Sequence, residues 1–337
     1  MKCFNKIKNV WPTFCLFLLI IPFKSWGVTF SLAWPTPNPS FAQGLGAHTF
    51  LQKTGPTKSF TSGAFGCVRN NGFKFHEGLD LFPIKTNKLG KAEDTVFAAM
   101  KGIVAYTSHS TNQSAYGKYI VLEHEEFSPT LYTLYAHLDQ ISPDLKLGTK
   151  VNIAQALGKM GNSASFHIPL NRSHLHFEVG LRLSDEFNKW FNRQSFKTKN
   201  KHGNFNGYNL VGFDPIHFYS SFQNKYFTSP GKYLRSLPVV TKIQINATFT
   251  PYLIRRNPSL LLNKSVSTPL QSWICSFGPF GIPLLFEAST EHVPGNIRVL
   301  SYNEQVDSGF CRKLIIKERG LTPSIQLEAY LELIFLE

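Results

Sequence analysis

The stretch "NRSHLHFEVG", residues 171–180, places two histidines and a glutamate at every second position. Successive side chains of a β-strand point to opposite faces of a sheet. If this stretch is a strand, His174, His176 and Glu178 share one face, and apolar residues occupy the other. Such a row is either a polar surface or one wall of a site that holds a ligand. The spacing alone does not decide between the two.

Short strand-like runs separated by glycine turns extend from about residue 61 to residue 182. They are "TVFAAMKGIVAYT" (95–107), "KYIVLEHEE" (118–126), "TLYTLYAHL" (130–138), "VNIAQALGKMG" (151–161) and "SHLHFEVGL" (173–181). Strands at this spacing, with little helical periodicity, predict a mainly β fold built on an antiparallel sheet or sandwich. The polar, aromatic segment 184–210 predicts a short helix followed by a loop, and "FDPIHFY" (213–219) a closing element.

Alternating runs continue from residue 228 to the end of the chain, "TKIQINATFT", "IRVLSY" and "IQLEAYLELIFLE" among them. They predict a second, smaller β-rich domain over residues 228–337, after a first domain over residues 61–222. A length of 337 residues with 42% hydrophobic residues is enough for two folded units.

The formal net charge of +14 favours polyanionic surroundings such as nucleic acid, an anionic membrane surface or an anionic cell wall. No arginine-rich run or nucleic-acid motif concentrates this charge, so we expect no nucleic-acid partner.

The first 27 residues, "MKCFNKIKNVWPTFCLFLLIIPFKSWG", combine lysines with an apolar run that ends in small residues. This pattern predicts a secretory signal cleaved after residue 27, or as late as residue 33. An uncleaved anchor is the alternative, but the run is short for a transmembrane helix and contains Pro12 and Pro22. We therefore expect an exported protein, periplasmic or in the cell envelope or outside the cell, without stable membrane insertion. Residues 28–60 would follow as an extended arm with little packing of its own.

Three cysteines follow the predicted signal: Cys67, Cys275 and Cys311. Cys275 and Cys311 both lie in the C-terminal region and could pair in an oxidising compartment, whereas three buried free thiols are the alternative. No C-x-x-C pair is present, which excludes a structural zinc ribbon.

Three sites carry residue types that bind metals or transfer protons: "FHEGLD" with His76 and Asp80, "LYAHL" with His137, and "SHLHFE" with His174 and His176. A catalytic zinc takes three protein ligands and keeps a fourth position for water. The first site could supply two ligands and the third site one, which leaves two histidines for proton transfer and oxyanion stabilisation. Strand alternation would place His137 on one face with Thr133 and Tyr135. A cupin-like metal site, which also uses a His-x-His strand, is an alternative.

The motifs "FHEGLD", "VFAAMKGIVAYT", "YGKYIVLEH", "LYTLYAHL", "LGTKVNIAQALGKMGNSA" and "SHLHFEVG" resemble, in this order, those of the lysostaphin-like (LytM-type) zinc metallopeptidases. That family cuts peptide bonds in peptidoglycan and has a mainly antiparallel β core, the duplicated hybrid motif fold. The resemblance covers roughly residues 60–182, and "FDPIHFY" matches the family's usual domain ending.

The resemblance assigns roles by position: zinc ligands His76, Asp80 and His176, and catalytic, non-ligand histidines His137 and His174. It implies Zn²⁺ as the cofactor and peptidoglycan peptides as the partner. Spacing alone does not separate His174 from His176. No glutamate base is required, so we expect Glu77 and Glu178 to form ion pairs or to orient a neighbouring histidine.

Two segments depart from the family pattern: "LFPIKTNKLGKAEDT" (81–95) and "FHIPLNRS" (166–173). Both are expected to border the cleft, so the choice of peptide does not transfer. The sequence thus predicts an exported zinc endopeptidase that hydrolyses a peptidoglycan cross-bridge or stem peptide. A catalytically inactive module that binds peptidoglycan or activates another hydrolase is the alternative, although all five site positions are retained.

Overall fold

The computed structural model describes residues 29–54, 59–263, 269–306, 310–318 and 320–336. The predicted signal lies outside these residues. Among the helices of the described part, none combines the length and the apolar character that crossing a bilayer requires.

Most regular structure in the described residues is β. The strands are β1 (Gly66–Arg69), β2 (Lys74–His76), β3 (Leu79–Leu81), β4 (Thr95–Phe97), β5 (Gly102–Ser108), β6 (Tyr119–His124), β7 (Leu131–Ala136), β8 (Gln140–Ile141), β9 (Lys150–Val151), β10 (Ala156–Lys159), β11 (Leu175–Arg182), β12 (Leu210–Gly212), β13 (Thr241–Asn246), β14 (Ser272–Phe277), β15 (Pro283–Ser289), β16 (Ile297–Tyr302), β17 (Ile315–Ile316) and β18 (Thr322–Pro323). The helices are α1 (Phe187–Arg193), α2 (Pro215–Gln223), α3 (Pro230–Ser236), α4 (Tyr252–Arg256) and α5 (Ile325–Ile334).

The central sheet has seven strands, in the order β12-β11-β7-β6-β5-β9, with β3 also paired to β11. All its pairings are antiparallel, which confirms the predicted mainly β, antiparallel class. The register sets Asp80 of β3 and Ala136 of β7 on either side of His176 of β11. Directly opposed residues of an antiparallel pair share a face. The "SHLHFEVG" strand is therefore hydrogen-bonded to neighbouring strands on both edges.

A second antiparallel sheet, in the order β15-β14-β13-β16, is formed by the C-terminal part of the chain. The run "IQLEAYLELIFLE" was predicted as strand-like, and this prediction is wrong, because the run forms helix α5. Ser324 caps the helix by accepting a hydrogen bond from the backbone of Leu327. Leu327, Leu331 and Ile334 are buried and lie on one face of the helix. The apolar pattern of the run thus fits the helical period of 3.6 residues as well as the strand period of two.

The segment 29–54 packs into the core, contrary to the expectation of an arm with little packing. Phe30, Phe41 and Phe50 are buried, and Trp34 stacks on Phe41 with ring centroids 4.4 Å apart. Tyr219 of α2 donates a hydrogen bond of 2.7 Å to the carbonyl of Ala33. Buried aromatic side chains hold the segment 29–54 against the core. They occur at irregular spacing, so the sequence shows no periodic pattern that would predict this packing.

A disulfide joins two parts of the chain that are far apart in the sequence. Cys67 of β1 pairs with Cys311, which follows 244 residues later, and the two Cα atoms are 5.7 Å apart. The sequence left open a Cys275–Cys311 pair or three free thiols, and neither alternative is correct. Cys275 lies on β14 as a fully buried free thiol within the apolar core. Arg312 follows the disulfide and places its guanidinium 3.7 Å from the ring centroid of Phe75 on β2. The C-terminal part of the chain is thus fastened to the β1–β2 hairpin.

Candidate active site

His76, Asp80 and His176 form a compact buried triangle at the junction of β2, β3 and β11. Nε2 of His76 lies 3.1 Å from Nδ1 of His176, and Oδ1 of Asp80 lies 3.1 Å from each of these two nitrogens. Gly78 makes the close approach of the strands possible, because a Cβ at this position would lie 2.2 Å from the carbonyl oxygen of Phe177. The chain between the histidine and the aspartate can therefore run directly against β11.

The outward nitrogen of each histidine in the triangle already faces a hydrogen-bond acceptor. Nδ1 of His76 donates to the carbonyl of Ala64 over 2.7 Å, and Nε2 of His176 donates to Oε1 of Glu178 over 2.9 Å. When the rings are neutral, the inward nitrogens have lone pairs and no hydrogen. Three lone pairs, two from nitrogen and one from a carboxylate oxygen, then point at one another, an arrangement that a proton or a metal cation between them would stabilise.

The dimensions of the triangle suit a small divalent cation. Ligands of a tetrahedral zinc, at about 2.0–2.1 Å from the ion, lie about 3.4 Å from one another, close to the separations of 3.1 Å found here. Without a cation, burial opposes a proton on His176, but hydrogen bonds to Asp80 and Glu178 outweigh it and raise the pKa to about 9. A bound cation would displace that proton, as metals do at histidine ligands.

Glu178 links the triangle to the half-buried Tyr116 and the buried Tyr132. The hydroxyl of Tyr116 donates to its Oε1 over 2.7 Å and that of Tyr132 to its Oε2 over 2.9 Å. Burial, reinforced by the charge of Glu178, raises the pKa of both tyrosines, so the phenols remain donors. Such outer contacts fix the orientation of a metal-binding histidine. Glu178 thus contacts its neighbouring histidine as expected. The contribution of Tyr132 was missed, because it depends on strand pairing across 46 residues.

The side chain of His137 lies on the opposite face from the one that strand alternation predicted. Thr133 lies opposite Val179, whereas Ala136 lies opposite His176, so Thr133 lies on the face of β7 away from the site. His137 follows the last residue of this strand with φ of 60°. This left-handed conformation turns its side chain back to the face that carries the triangle. Few non-glycine residues adopt it, and they concentrate at functional sites.

His137 and His174 lie side by side, with ring centroids 4.8 Å apart. Nδ1 of His137 donates to the carbonyl of Ser163 over 2.9 Å, and Nδ1 of His174 to that of Arg172 over 2.7 Å. Their Nε2 atoms are therefore free to accept a proton. Burial lowers the pKa of both side chains, that of His137 strongly, with neighbouring histidines adding to the effect. Both rings are neutral at pH 7 and can act as bases.

Arg69 of β1 was also missed by sequence reasoning. Its guanidinium lies 2.5 Å from Oδ2 of Asp80, so the aspartate uses one oxygen for the triangle and the other for this ion pair. Burial opposes ionisation of Asp80, but His76 and His174 hold its pKa well below the usual value. Arg69 lies two residues after the disulfide-bonded Cys67.

A cavity of about 290 Å³ opens above these groups. Its walls are Thr54, Arg69, Asn70, Lys74, Asp80, His137, Phe166, His167, Ile168, Pro169, Arg172 and His174. The segment 166–173, predicted to border a cleft, contributes five of these residues. Glu77 is not among them, since it faces Arg312 at 3.8 Å. The cavity gives a ligand access to the two catalytic candidates and to one edge of the triangle.

Comparison with known proteins places part of the chain in a family. The model of peptidase family M23 matches residues 74–188, about a third of the chain. A catalytic-domain variant of the prophage-encoded M23 protein EnpA from Enterococcus faecalis is 19% identical, with 45% of this chain and 86% of that one covered and a TM-score of 0.29. The catalytic domain of lysostaphin from Staphylococcus simulans is 22% identical, with 47% and 88% covered and a TM-score of 0.29.

A zinc-containing peptidase from Vibrio cholerae is 26% identical, with 39% of this chain but only 31% of that one covered and a TM-score of 0.25. No curated protein matches the sequence. The matched segment runs from β2 into α1 and contains His76, Asp80, His137, His174 and His176. Similarity to peptidase family M23 therefore covers residues 74–188, the segment that holds all five candidate site residues.

Proposed function

We propose that this chain is an exported zinc endopeptidase that hydrolyses peptide bonds in peptidoglycan, in a cross-bridge or a stem peptide. One observation carries the proposal: three buried donor atoms with converging lone pairs lie beside two neutral histidines at the base of an open cavity. A metal-binding triangle alone would suit a structural site. The adjacent pair of free imidazole nitrogens supports hydrolysis.

In this proposal His76, Asp80 and His176 hold the zinc. The ion, when bound, supplies a Lewis acid and lowers the pKa of a water molecule. His137 and His174 share the remaining work: one accepts a proton from the attacking water at Nε2, and the other, once this proton has been passed to its own Nε2, stabilises the oxyanion or protonates the leaving amine. Their Nδ1 hydrogen bonds to backbone carbonyls fix the tautomer that this work needs.

Two features support export and an envelope substrate. The Cys67–Cys311 disulfide is of a kind that persists in oxidising compartments outside the cytosol. The processed chain keeps a net charge of +10, because the predicted signal removes four lysines and no acidic residue from the +14 of the full sequence, and this charge favours association with an anionic envelope. Together with the match to peptidase family M23, these two features support zinc-dependent cleavage of peptidoglycan.

The test uses the processed chain, residues 28–337, with zinc measured by mass spectrometry and new amino groups measured after incubation with peptidoglycan. We expect about one zinc per chain, release of amino groups, and loss of this activity on chelation. His137→Ala should abolish turnover and keep zinc, whereas His176→Ala should lose both. The exposed His109 supplies the control, and His109→Ala should change neither. Full lytic activity of His137→Ala would refute the mechanism, and a folded, zinc-free wild type would favour a binding module.

A further inference from the structure

The cavity at the candidate active site has more cationic than acidic side chains in its walls. Three cationic side chains line it, Arg69, Lys74 and Arg172, but the only acidic side chain among the described lining residues is Asp80. Arg69 and Asp80 already pair with each other at 2.5 Å. Two positive charges, on Lys74 and Arg172, therefore remain without an acidic counterpart in the cavity.

Neither of these two side chains forms an ion pair elsewhere within the described ranges. The guanidinium of Arg172 donates only to the carbonyl of Lys53, over 3.2 Å, and this neutral acceptor leaves the charge uncompensated. Lys74 is exposed and has no ion-pair partner in the same part of the chain. By contrast, Lys91, outside the cavity, pairs with Asp139 at 2.8 Å. Lys74 and Arg172 therefore give the cavity a net positive charge.

The two cations flank the reacting groups. Lys74 and His76 lie two residues apart on β2, so their side chains emerge from the same face of the strand. The backbone carbonyl of Arg172 accepts the Nδ1 hydrogen bond of His174 over 2.7 Å, which fixes Arg172 close to this catalytic candidate. Both cationic residues therefore line the same cavity as Asp80 and the histidine pair.

The remaining wall is apolar and comes from Phe166, Ile168 and Pro169. A neutral, flexible peptide such as an oligoglycine bridge offers the two unpaired cations only neutral carbonyl acceptors and no negative charge. A carboxylate accepts hydrogen bonds from both, and a guanidinium can bind it through two parallel bonds. Cations in a partly enclosed cleft also concentrate anionic ligands by focusing the field.

We propose that Lys74 and Arg172 select peptides that carry a free carboxylate next to the bond that is cut. This inference rests on the proposed function and narrows its substrate to the carboxylate-bearing stem peptides of peptidoglycan, as opposed to neutral cross-bridges. The carboxylate lies against the two cations, and the adjacent amide reaches the histidine pair.

The experiment compares matched substrates on the zinc-loaded processed chain: a purified cross-linked stem peptide, the same peptide with its carboxyl groups converted to amides, and pentaglycine capped as N-acetyl-pentaglycine amide so that it carries no charge. Hydrogen bonds to charged groups predict that kcat/KM for the carboxylate form exceeds that for the amide by about 10- to 100-fold. Lys74→Gln and Arg172→Gln should each lose about tenfold on the carboxylate form, chiefly through KM, and little on the amide. The exposed Lys199 and Arg193 provide matched controls, because Lys199→Gln and Arg193→Gln should keep the full preference.

Equal cleavage of the two stem-peptide forms would overturn the inference and leave the proposed peptidase intact. So would a loss in either variant that is equal for both forms, because it would indicate a structural role. Cleavage of pentaglycine in preference to the stem peptide would also overturn it. If the zinc-loaded chain cleaves none of the three, the proposed function fails. Calorimetric binding of the two stem-peptide forms then decides the inference separately: tighter binding of the carboxylate form supports it, and equal binding refutes it.

Discussion

Nε2 of His176 donates a hydrogen bond to Oε1 of Glu178 over 2.9 Å, two residues further along the same strand. Because this bond occupies the outward nitrogen, only Nδ1 is available to the triangle with His76 and Asp80. Glu178 is in turn held by the hydroxyls of Tyr116 and Tyr132. The orientation of His176, a proposed ligand, therefore depends on a carboxylate that lies outside the triangle.

Glu178→Gln should weaken zinc binding without unfolding the protein. An amide accepts the histidine N–H less strongly than a carboxylate does, and loss of such an outer contact lowers metal affinity by about 10- to 100-fold. Competition with a chromophoric chelator measures the change, and Tyr132→Phe, which removes one of two supporting bonds, should show a smaller one. The exposed Glu186 provides a control, and Glu186→Gln should bind zinc as the wild type does. An unchanged affinity in Glu178→Gln would show that the strand alone orients His176.

Reduction of the Cys67–Cys311 disulfide should destabilise the fold. The bond closes a long loop and ties the β1–β2 hairpin to the C-terminal region, and loss of a native disulfide typically costs about 2–5 kcal/mol. Thermal unfolding with and without reductant measures this. Wild type and Cys275→Ala should both unfold at lower temperature when reduced, because Cys275 takes no part in the bond. Cys311→Ser should be destabilised already and insensitive to reductant. Identical melting of the reduced and oxidised wild type would contradict the expectation.

Gly78→Ala should separate the strands that form the metal triangle. The added Cβ would lie 2.2 Å from the carbonyl oxygen of Phe177, a backbone atom that cannot move aside without displacing β11. We expect a loss of about 1–3 kcal/mol of stability together with loss of zinc. Gly148→Ala is the matched control, because Gly148 has positive φ but no neighbour within 4 Å. That variant should lose stability through backbone strain and keep its zinc. Full zinc content in Gly78→Ala would show that the triangle tolerates the shift.

Alternation along one strand was sufficient to predict that His174, His176 and Glu178 share a face, because period two follows from backbone geometry. It failed for His137, whose positive φ reverses the expected side at the end of β7. Arg69 escaped prediction because its contact with Asp80 depends on how the β1–β2 hairpin folds back, not on spacing in the sequence.

The C-terminal region shows a second limit of sequence patterns. Helix α5 was mistaken for a strand, because a dense apolar run satisfies both periods when no glycine or proline interrupts it. The Cys67–Cys311 pair was missed for a different reason. Its two cysteines lie 244 residues apart in the sequence, and position in the chain does not reveal which cysteines pair after folding.

The buried His124 should make stability fall with acidity. Nδ1 donates to the carbonyl of Lys101 and Nε2 accepts from the hydroxyl of Thr133, each over 2.8 Å, so the neutral ring is fully satisfied. Burial lowers its pKa from 6.5 to about 4. Between these pH values the unfolded chain binds a proton that the folded chain refuses, so stability must decrease as pH falls through this window. The full shift corresponds to about 3 kcal/mol.

Denaturant unfolding between pH 4 and pH 7.5 measures this effect when wild type and His124→Gln are compared. The variant loses packing and hydrogen bonds, so it should be less stable than wild type at pH 7.5. The difference should shrink towards pH 4, because only the wild type pays the protonation penalty. Contributions from the metal site cancel, since both proteins share it. The exposed His109 gives the control, and His109→Gln should follow the wild-type curve. A constant gap between wild type and His124→Gln over the whole range would show that His124 is protonated as readily in the folded state as in the unfolded one.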